Sequence, residues 1–201
     1  MHTLDTPKSI HVIGIAGSVM GGMACLLAEQ GHSVRGSDRD CYPPMSDRLE
    51  RAGIDVRLGF DEANVTNDPP DLVLVGNITR RSNPEAVAMR SLGIPHMSLP
   101  EMLNAMLLRK RRSITIAGTH GKTTTSSMVV WLLRESELAP GFMIGGVTGN
   151  LNTNHRVSDG GVFVVAWRGT NSSADVLVVD SCMNCYLELG TVVTSPGQTG
   201  A

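Results

Sequence analysis

The sequence lacks a charge bias, long apolar runs and paired cysteine motifs, and each shortage removes a class of function. Lys and Arg number 17 against 19 Asp and Glu, a formal net charge of -2. No long-range field therefore draws the chain to DNA, RNA or an anionic membrane. No apolar run approaches the roughly 18 residues that a membrane span needs. The opening MHTLDTPKSI has neither a basic start nor an apolar secretory core, so cytoplasmic residence is the expectation. Of the 4 cysteines, Cys25 and Cys41 stand in unrelated contexts. Cys182 and Cys185 form a lone C-x-x-C, two ligands short of a zinc site. The basic run Arg109-Lys-Arg-Arg112 reads as a solvated helix end, where cations suit the C-terminal dipole.

What is present is a core-forming composition. Hydrophobic residues make up 41% of the 201, enough for one large domain or a small domain with part of another. The chain alternates strand-like and helix-like segments. Ser9 to Ile15 is a β-branched run read as a buried strand. Gly17 to Gly22 reads as a tight turn, and Met23 to Gln30 as a helix ended by Gly31. His32 to Asp38 is a second strand. Further strands are expected at 54–58, 71–76 and 94–98, with helices at 45–52, from Asn83-Pro84-Glu85, and at 100–108. Ser113 to Ala117 starts a fresh strand and Ser126 to Glu135 a fresh helix. Strands alternating with helices imply a doubly wound α/β design.

Two glycine-bearing bends carry the chemistry. The first, Gly14-x-x-Gly17 with Gly21-Gly22, follows strand one and opens a helix. It is not G-x-G-x-x-G, because position 16 is Ala. Asp38 ends strand two, where a dinucleotide fold places a ribose contact. On these residues NAD and a nucleotide sugar both remain possible ligands. The second bend, Gly118-Thr-His-Gly-Lys-Thr-Thr124, has the logic of a phosphate loop between strand and helix. Backbone amides would wrap phosphate oxygens, Lys122 would reach the β- and γ-phosphates, and the Thr123 hydroxyl would ligate Mg2+. The fit to G-x-x-x-x-G-K-[ST] is incomplete, since Ile116 stands at the first glycine's place. His120 reads as a shape or hydrogen-bonding residue of that loop.

Taken in order, His11 to Gly22, Gly36-Ser-Asp38 and Gly118 to Thr124 resemble the Mur ligases, ATP-dependent amide-bond formers of cell-wall synthesis. Tyr42-Pro-Pro-Met-Ser46, Gly76-Asn77, Arg80 to Pro84 and Pro140 to Asn150 resemble the murein-recycling branch. That branch joins UDP-N-acetylmuramate to the tripeptide L-alanyl-γ-D-glutamyl-meso-diaminopimelate; the L-alanine-adding branch is the alternative. The resemblance implies a Rossmann-like UDP-sugar domain over 1–108 and the start of a P-loop-type ATP domain over 113–165. It implies UDP-sugar contacts at Gly14, Gly17, Ser18, Met20, Gly21, Gly22, Ser37, Asp38 and Asn77. ATP contacts are implied at Gly118, Thr119, His120, Gly121, Lys122, Thr123 and Thr124. Lys122 and Thr123 carry the catalytic roles, and Thr123 holds the magnesium.

After Val162-Phe-Val-Val165 the resemblance stops. The family continues with an acidic stretch whose Glu helps hold magnesium; here the chain reads Ala166-Trp-Arg-Gly-Thr-Asn171. Residues 166–201 are expected to be a non-family, flexible tail. Within them Asp175 to Asp180 is expected either to pair at the exposed sheet edge as a substitute strand or to aggregate. The break suggests a truncated or frame-shifted product without ligase turnover.

Overall fold

The computed structural model describes residues 6, 8–76, 79–108, 112–117, 120–146, 149–151, 153–158 and 161–167. The fold divides into two compact units between Met106 and Leu107.

The first unit runs β1 (Ser9–Ile13), α1 (Ser18–Glu29), β2 (Ser33–Asp38), α2 (Met45–Arg51) and β3 (Asp55–Leu58). It continues with α3 (Ala63–Thr66), β4 (Leu72–Val75), α4 (Pro84–Ser91), β5 (His96–Ser98) and α5 (Leu99–Leu103). A π-helical turn, Asn104–Leu108, follows. The strands lie in the order β3-β2-β1-β4-β5, and every pair is parallel. This is a Rossmann-like sheet. The order reverses between β1 and β4, and a ligand crevice forms at the C-terminal ends of strands at such a point. β1 is covered on both faces, which is why it reads as a near-continuous apolar run. On one face Ile13 and Val73 pack with Val65, Ala86, Met89 and Ile94.

Two helices begin earlier than the sequence suggests. α1 starts at Ser18 rather than Met23, because Gly17 in an extended conformation (φ -61, ψ 139) already serves as its N-cap. The bend is confined to Gly14–Gly17, and Gly21 and Gly22 lie inside the helix. Gly21 is there for packing: a Cβ would sit 2.3 Å from the Met45 sulfur and 3.0 Å from the Ile15 carbonyl oxygen. The short α3 had no periodic signal at all. The helix expected over 100–108 holds its α form only through Leu103 and then widens into the π turn.

Asn83 caps α4 as expected, its side-chain oxygen accepting from the Glu85 and Ala86 amides at 2.9 and 3.2 Å. Glu85 is more than a dipole-matching acid. It is fully buried, as are His11 and Ser37. One carboxylate oxygen faces His11 Nε2 at 3.2 Å and accepts from the Ser37 hydroxyl. The other accepts from the Asn64 amide and the Asp61 backbone N–H. The proton of His11 is assigned to Nε2 because that nitrogen faces the carboxylate. A buried carboxylate is tolerated only when its lone pairs are used in this way.

The second unit runs β6 (Arg112–Ala117), α6 (Lys122–Glu135), β7 (Gly141–Met143), β8 (His155–Arg156) and β9 (Val162–Trp167). The order is β6-β9-β7-β8. β6 and β7 flank β9 in parallel, and β8 runs antiparallel to β7. Val130, Phe142, Ile144, Leu151 and Val164 form its core. β9 continues two residues past Val165, where the family resemblance ended, and is paired on both sides. Cys182, Cys185 and the segment Asp175 to Asp180 lie outside the described residues, as does nearly all of the expected tail.

We predict that Glu85→Ala destabilises the first unit by about 3–5 kcal/mol, the cost of orphaning buried partners of a charge; chemical denaturation measures it. Burial pushes the Glu85 carboxyl up, but hydrogen bonds from His11, Ser37 and Asn64 and the His11 charge outweigh it, and the net is below the ordinary value. A depressed carboxyl contributes stability above its unfolded pKa, about 4.3 for Glu, and loses it as pH falls through the folded value. The stability gap between wild type and Glu85→Gln should therefore shrink as pH falls below about 4.3. A gap that widens in acid contradicts the assignment.

Candidate functional site

The first bend is pinned by the end of β2. The Ser37 carbonyl accepts from the Gly14 amide at 2.8 Å and from the Ile15 amide at 3.1 Å. The next amide, Ala16, donates to Asp38 Oδ2 at 2.8 Å. Gly17 N–H closes on the Gly14 carbonyl at 3.3 Å, and Gly21 N–H on the Gly17 carbonyl at 2.7 Å. The bend's own amides are thus committed to structure. A helix start leaves its first amides without an intrahelical acceptor, and those of Val19 and Met20 lie at the mouth of α1. Such a terminus, with its dipole, suits a phosphate.

The residues singled out from sequence take different places around this mouth. Gly17 and Ser18 are exposed, while Met20, Gly21 and Gly22 are buried within α1. The Ser37 side chain is fully buried and turned to Glu85, so it acts on the bend through its carbonyl. Asp38 is a latch: one oxygen holds Ala16 and the other accepts from the Arg39 amide at 2.8 Å. Asn77 lies outside the described residues. Gly76 closes the floor, its amide donating to the Ile13 carbonyl at 3.2 Å.

The second bend leaves β6 after Ala117; Gly118 and Thr119 lie outside the described residues. His120 is exposed in a bend. Gly121 adopts φ 74, the left-handed conformation that glycine takes without strain, and is the N-cap of α6. α6 therefore begins at Lys122, four residues before the expected Ser126, and Lys122, Thr123 and Thr124 form its first turn. Lys122 and Thr123 are half-buried and Thr124 exposed. Ser126 is fully buried with its hydroxyl unpartnered. A cleft of about 630 Å³ starts at Thr123 and Thr124 and follows α6 past Met128 to Trp131.

β9 ends beside the place where this loop departs: Ala166 pairs with Ile116 and Trp167 with Ala117. In nucleotide-binding α/β folds the strand next to the loop strand supplies a metal-ligating acid; Ala166 and Trp167 offer none. Among the described residues no three His, Cys, Asp or Glu side chains converge as a metal site.

Sequence reasoning missed Glu85, Asn64 and His11 as a set. The available signal was His11 in the middle of a buried β-branched run, where a ring nitrogen requires a partner.

The family model described as "Mur ligase family, catalytic domain" matches residues 9–111. An Escherichia coli (strain K12) protein named UDP-N-acetylmuramate--L-alanyl-gamma-D-glutamyl-meso-2,6-diaminoheptandioate ligase is 45% identical over 156 residues, covering 78% of this chain and 34% of that protein. A Burkholderia cenocepacia UDP-N-acetylmuramate--L-alanine ligase is 41% identical, covering 79% of this chain and 33% of its own length. The crystal structure of the first kind of ligase from Neisseria meningitides superposes with a TM-score of 0.76 at 41% identity, over 80% of this chain and 52% of that one. The chain thus spans about a third of the length of the curated relatives it matches. A model covering half of the sequence, and a Rossmann-like sheet followed by a second mixed sheet, lead to one assignment: the chain belongs to the Mur ligase family.

Proposed function

We propose that this chain serves an ATP-dependent ligation of peptidoglycan recycling, joining UDP-N-acetylmuramate to a murein tripeptide in the cytoplasm. The supporting observation is a strand–glycine bend–helix start in each unit, at Gly14–Met20 and at Gly121–Thr124. Relatives named for the tripeptide are 45% and 40% identical, and those named for L-alanine 41% or 42%. L-alanine therefore remains the second reading of the amine.

In this reading the first bend takes the UDP diphosphate at residues 17–20. Gly14, Ser37 and Asp38 fix the bend's shape, Gly21 lets α1 pack close behind it, and Gly22 is assigned to the same site. Asn77 is assigned to the same sugar nucleotide. The second bend takes ATP at Gly118, Thr119, His120, Gly121, Lys122, Thr123 and Thr124. The residues present fit that ligand: the left-handed Gly121 opens the helix start, three threonines, Thr123 to Thr125, follow Lys122, and behind them Ser126 keeps a buried, unpartnered hydroxyl. When bound, Mg2+ supplies neutralisation of phosphate charge, with the Thr123 hydroxyl as its protein ligand.

The chemistry is a two-step acyl transfer. The muramoyl carboxylate oxygen attacks the γ-phosphorus, ADP leaves, and an acyl phosphate forms. The amine nitrogen then attacks the acyl carbon, phosphate leaves, and the nitrogen gives up its proton. Phosphoryl transfer asks for positioning and charge neutralisation more than for covalent help from the protein. Lys122 places its ammonium against the β- and γ-phosphates and opposes the charge that develops there. Helix α6 fixes the backbone from which that side chain extends.

The reading predicts separable binding. Lys122→Ala should lower ATP affinity about 10- to 100-fold, the worth of a hydrogen bond to a charged group. UDP-N-acetylmuramate affinity should not change. Asp38→Ala should do the reverse, weakening the UDP-sugar about fivefold through loss of one hydrogen bond. Titration calorimetry with each ligand alone measures both. Tight NADH binding, or both ligands lost together in both variants, contradicts the reading.

A further inference from the structure

We infer that Glu85 is a positioning residue for the first bend, acting through Ser37 at a distance from any ligand. This rests on the reading of that bend as a phosphate site. The geometry is a relay with one link of each kind. Asn83 fixes the start of α4 by accepting from the Glu85 and Ala86 amides. That places the Glu85 carboxylate over the sheet. Its Oε2 accepts from the Ser37 hydroxyl. The carbonyl of the same Ser37 accepts the Gly14 and Ile15 amides at 2.8 and 3.1 Å. One residue of β2 therefore joins a buried charge to the two amides that set the bend's curvature.

Three features argue that the link is specific and more than general core filling. Ser37 sits in a central strand where an apolar side chain would ordinarily pack, and it is fully buried. Its hydroxyl proton has a single acceptor there, so the rotamer is fixed and the strand end is held against α4. Glu85 in turn draws on all the elements around it: His11 from β1, Asn64 from α3 and the Asp61 amide before it. His11 stands two residues before Ile13, whose next residue opens the bend, so the carboxylate holds both strands that enclose it. His11 Nδ1 is buried and unpartnered. The ring is thus held from one side only, by Glu85.

Asp38 performs the matching task from outside, with Oδ2 on the Ala16 amide. The bend is gripped at three successive amides by two successive β2 residues, one answering to solvent and one to Glu85. A ligand diphosphate at residues 17–20 needs that curvature in place before it arrives, because ordering a loop on binding costs affinity.

Ser37→Ala isolates the link, since it removes one hydroxyl and leaves the backbone bonds. Amide hydrogen exchange of the unliganded full chain should show residues 14–16 exchanging about fivefold faster, one hydrogen bond's worth of local opening. The amides of Leu72–Val75 in β4 should keep wild-type protection. UDP-N-acetylmuramate affinity should fall by a similar factor, with ATP affinity unmoved. Glu85→Gln should raise exchange at residues 14–16 by the same factor beyond the unit-wide rise that its lower stability brings, and combining it with Ser37→Ala should add nothing further at residues 14–16. Overturning results would be unchanged exchange at 14–16 in Ser37→Ala, a rise shared equally with β4, or effects of the two variants that simply add. If exchange responds as stated but the wild type binds no UDP-N-acetylmuramate, the relay stands and the assigned ligand falls.

Discussion

A chain that leaves a parallel strand and enters a helix within four residues must find acceptors for several amides at once. At the first bend they are found on the end of β2: the Ser37 carbonyl takes two and the Asp38 carboxylate a third. This constraint orders the rest of the unit. It fixes β2 beside β1, and it leaves the start of α1 as the place where N–H groups have no intrahelical partner. In the proposed reading, a polar ligand site is then a by-product of a structural requirement. The same logic recurs at the second bend, where Gly121 in a left-handed conformation turns the chain into α6.

Charge enters this design sparingly. The buried Glu85 is stabilised by His11, Ser37 and Asn64, and it ties α3 and α4 to the two central strands. Elsewhere in this unit the largely buried Arg35 side chain reaches the exposed Asp68 at the surface, where an ion pair counts for less than in the core. In the second unit the neighbourhood of the loop contains a lysine and several hydroxyls. The adjacent strand end brings Ala166 and Trp167 where an acid would sit in other nucleotide-binding sheets.

Much of this was legible from the residues. The β-branched runs gave the five parallel strands of the first unit, and Asn83-Pro84 marked a helix start that the structure places at Pro84. The glycine spacing gave both bends. Gly21 and Gly22 look like turn residues, yet both are helical, and at Gly21 the α2 residue Met45 leaves no room for a Cβ. Lys122 to Thr124 look like loop and form the first helical turn, because one left-handed glycine suffices for the reversal. Burial partners were harder still. Nothing local distinguishes Glu85 from any acid in a first helical turn, and Asn64 belongs to a four-residue helix without periodicity. Their roles arise from contacts 21 to 74 residues apart in sequence.

The central claim is that two helix starts, one in each unit, receive two different phosphorylated ligands. Amide chemical-shift mapping of the labelled chain tests it most directly. UDP-N-acetylmuramate should move the resonances of residues 17–20 and leave 121–125 in place, and ATP with Mg2+ should do the opposite. Shifts from both ligands at one bend, or from neither at either, would contradict the account.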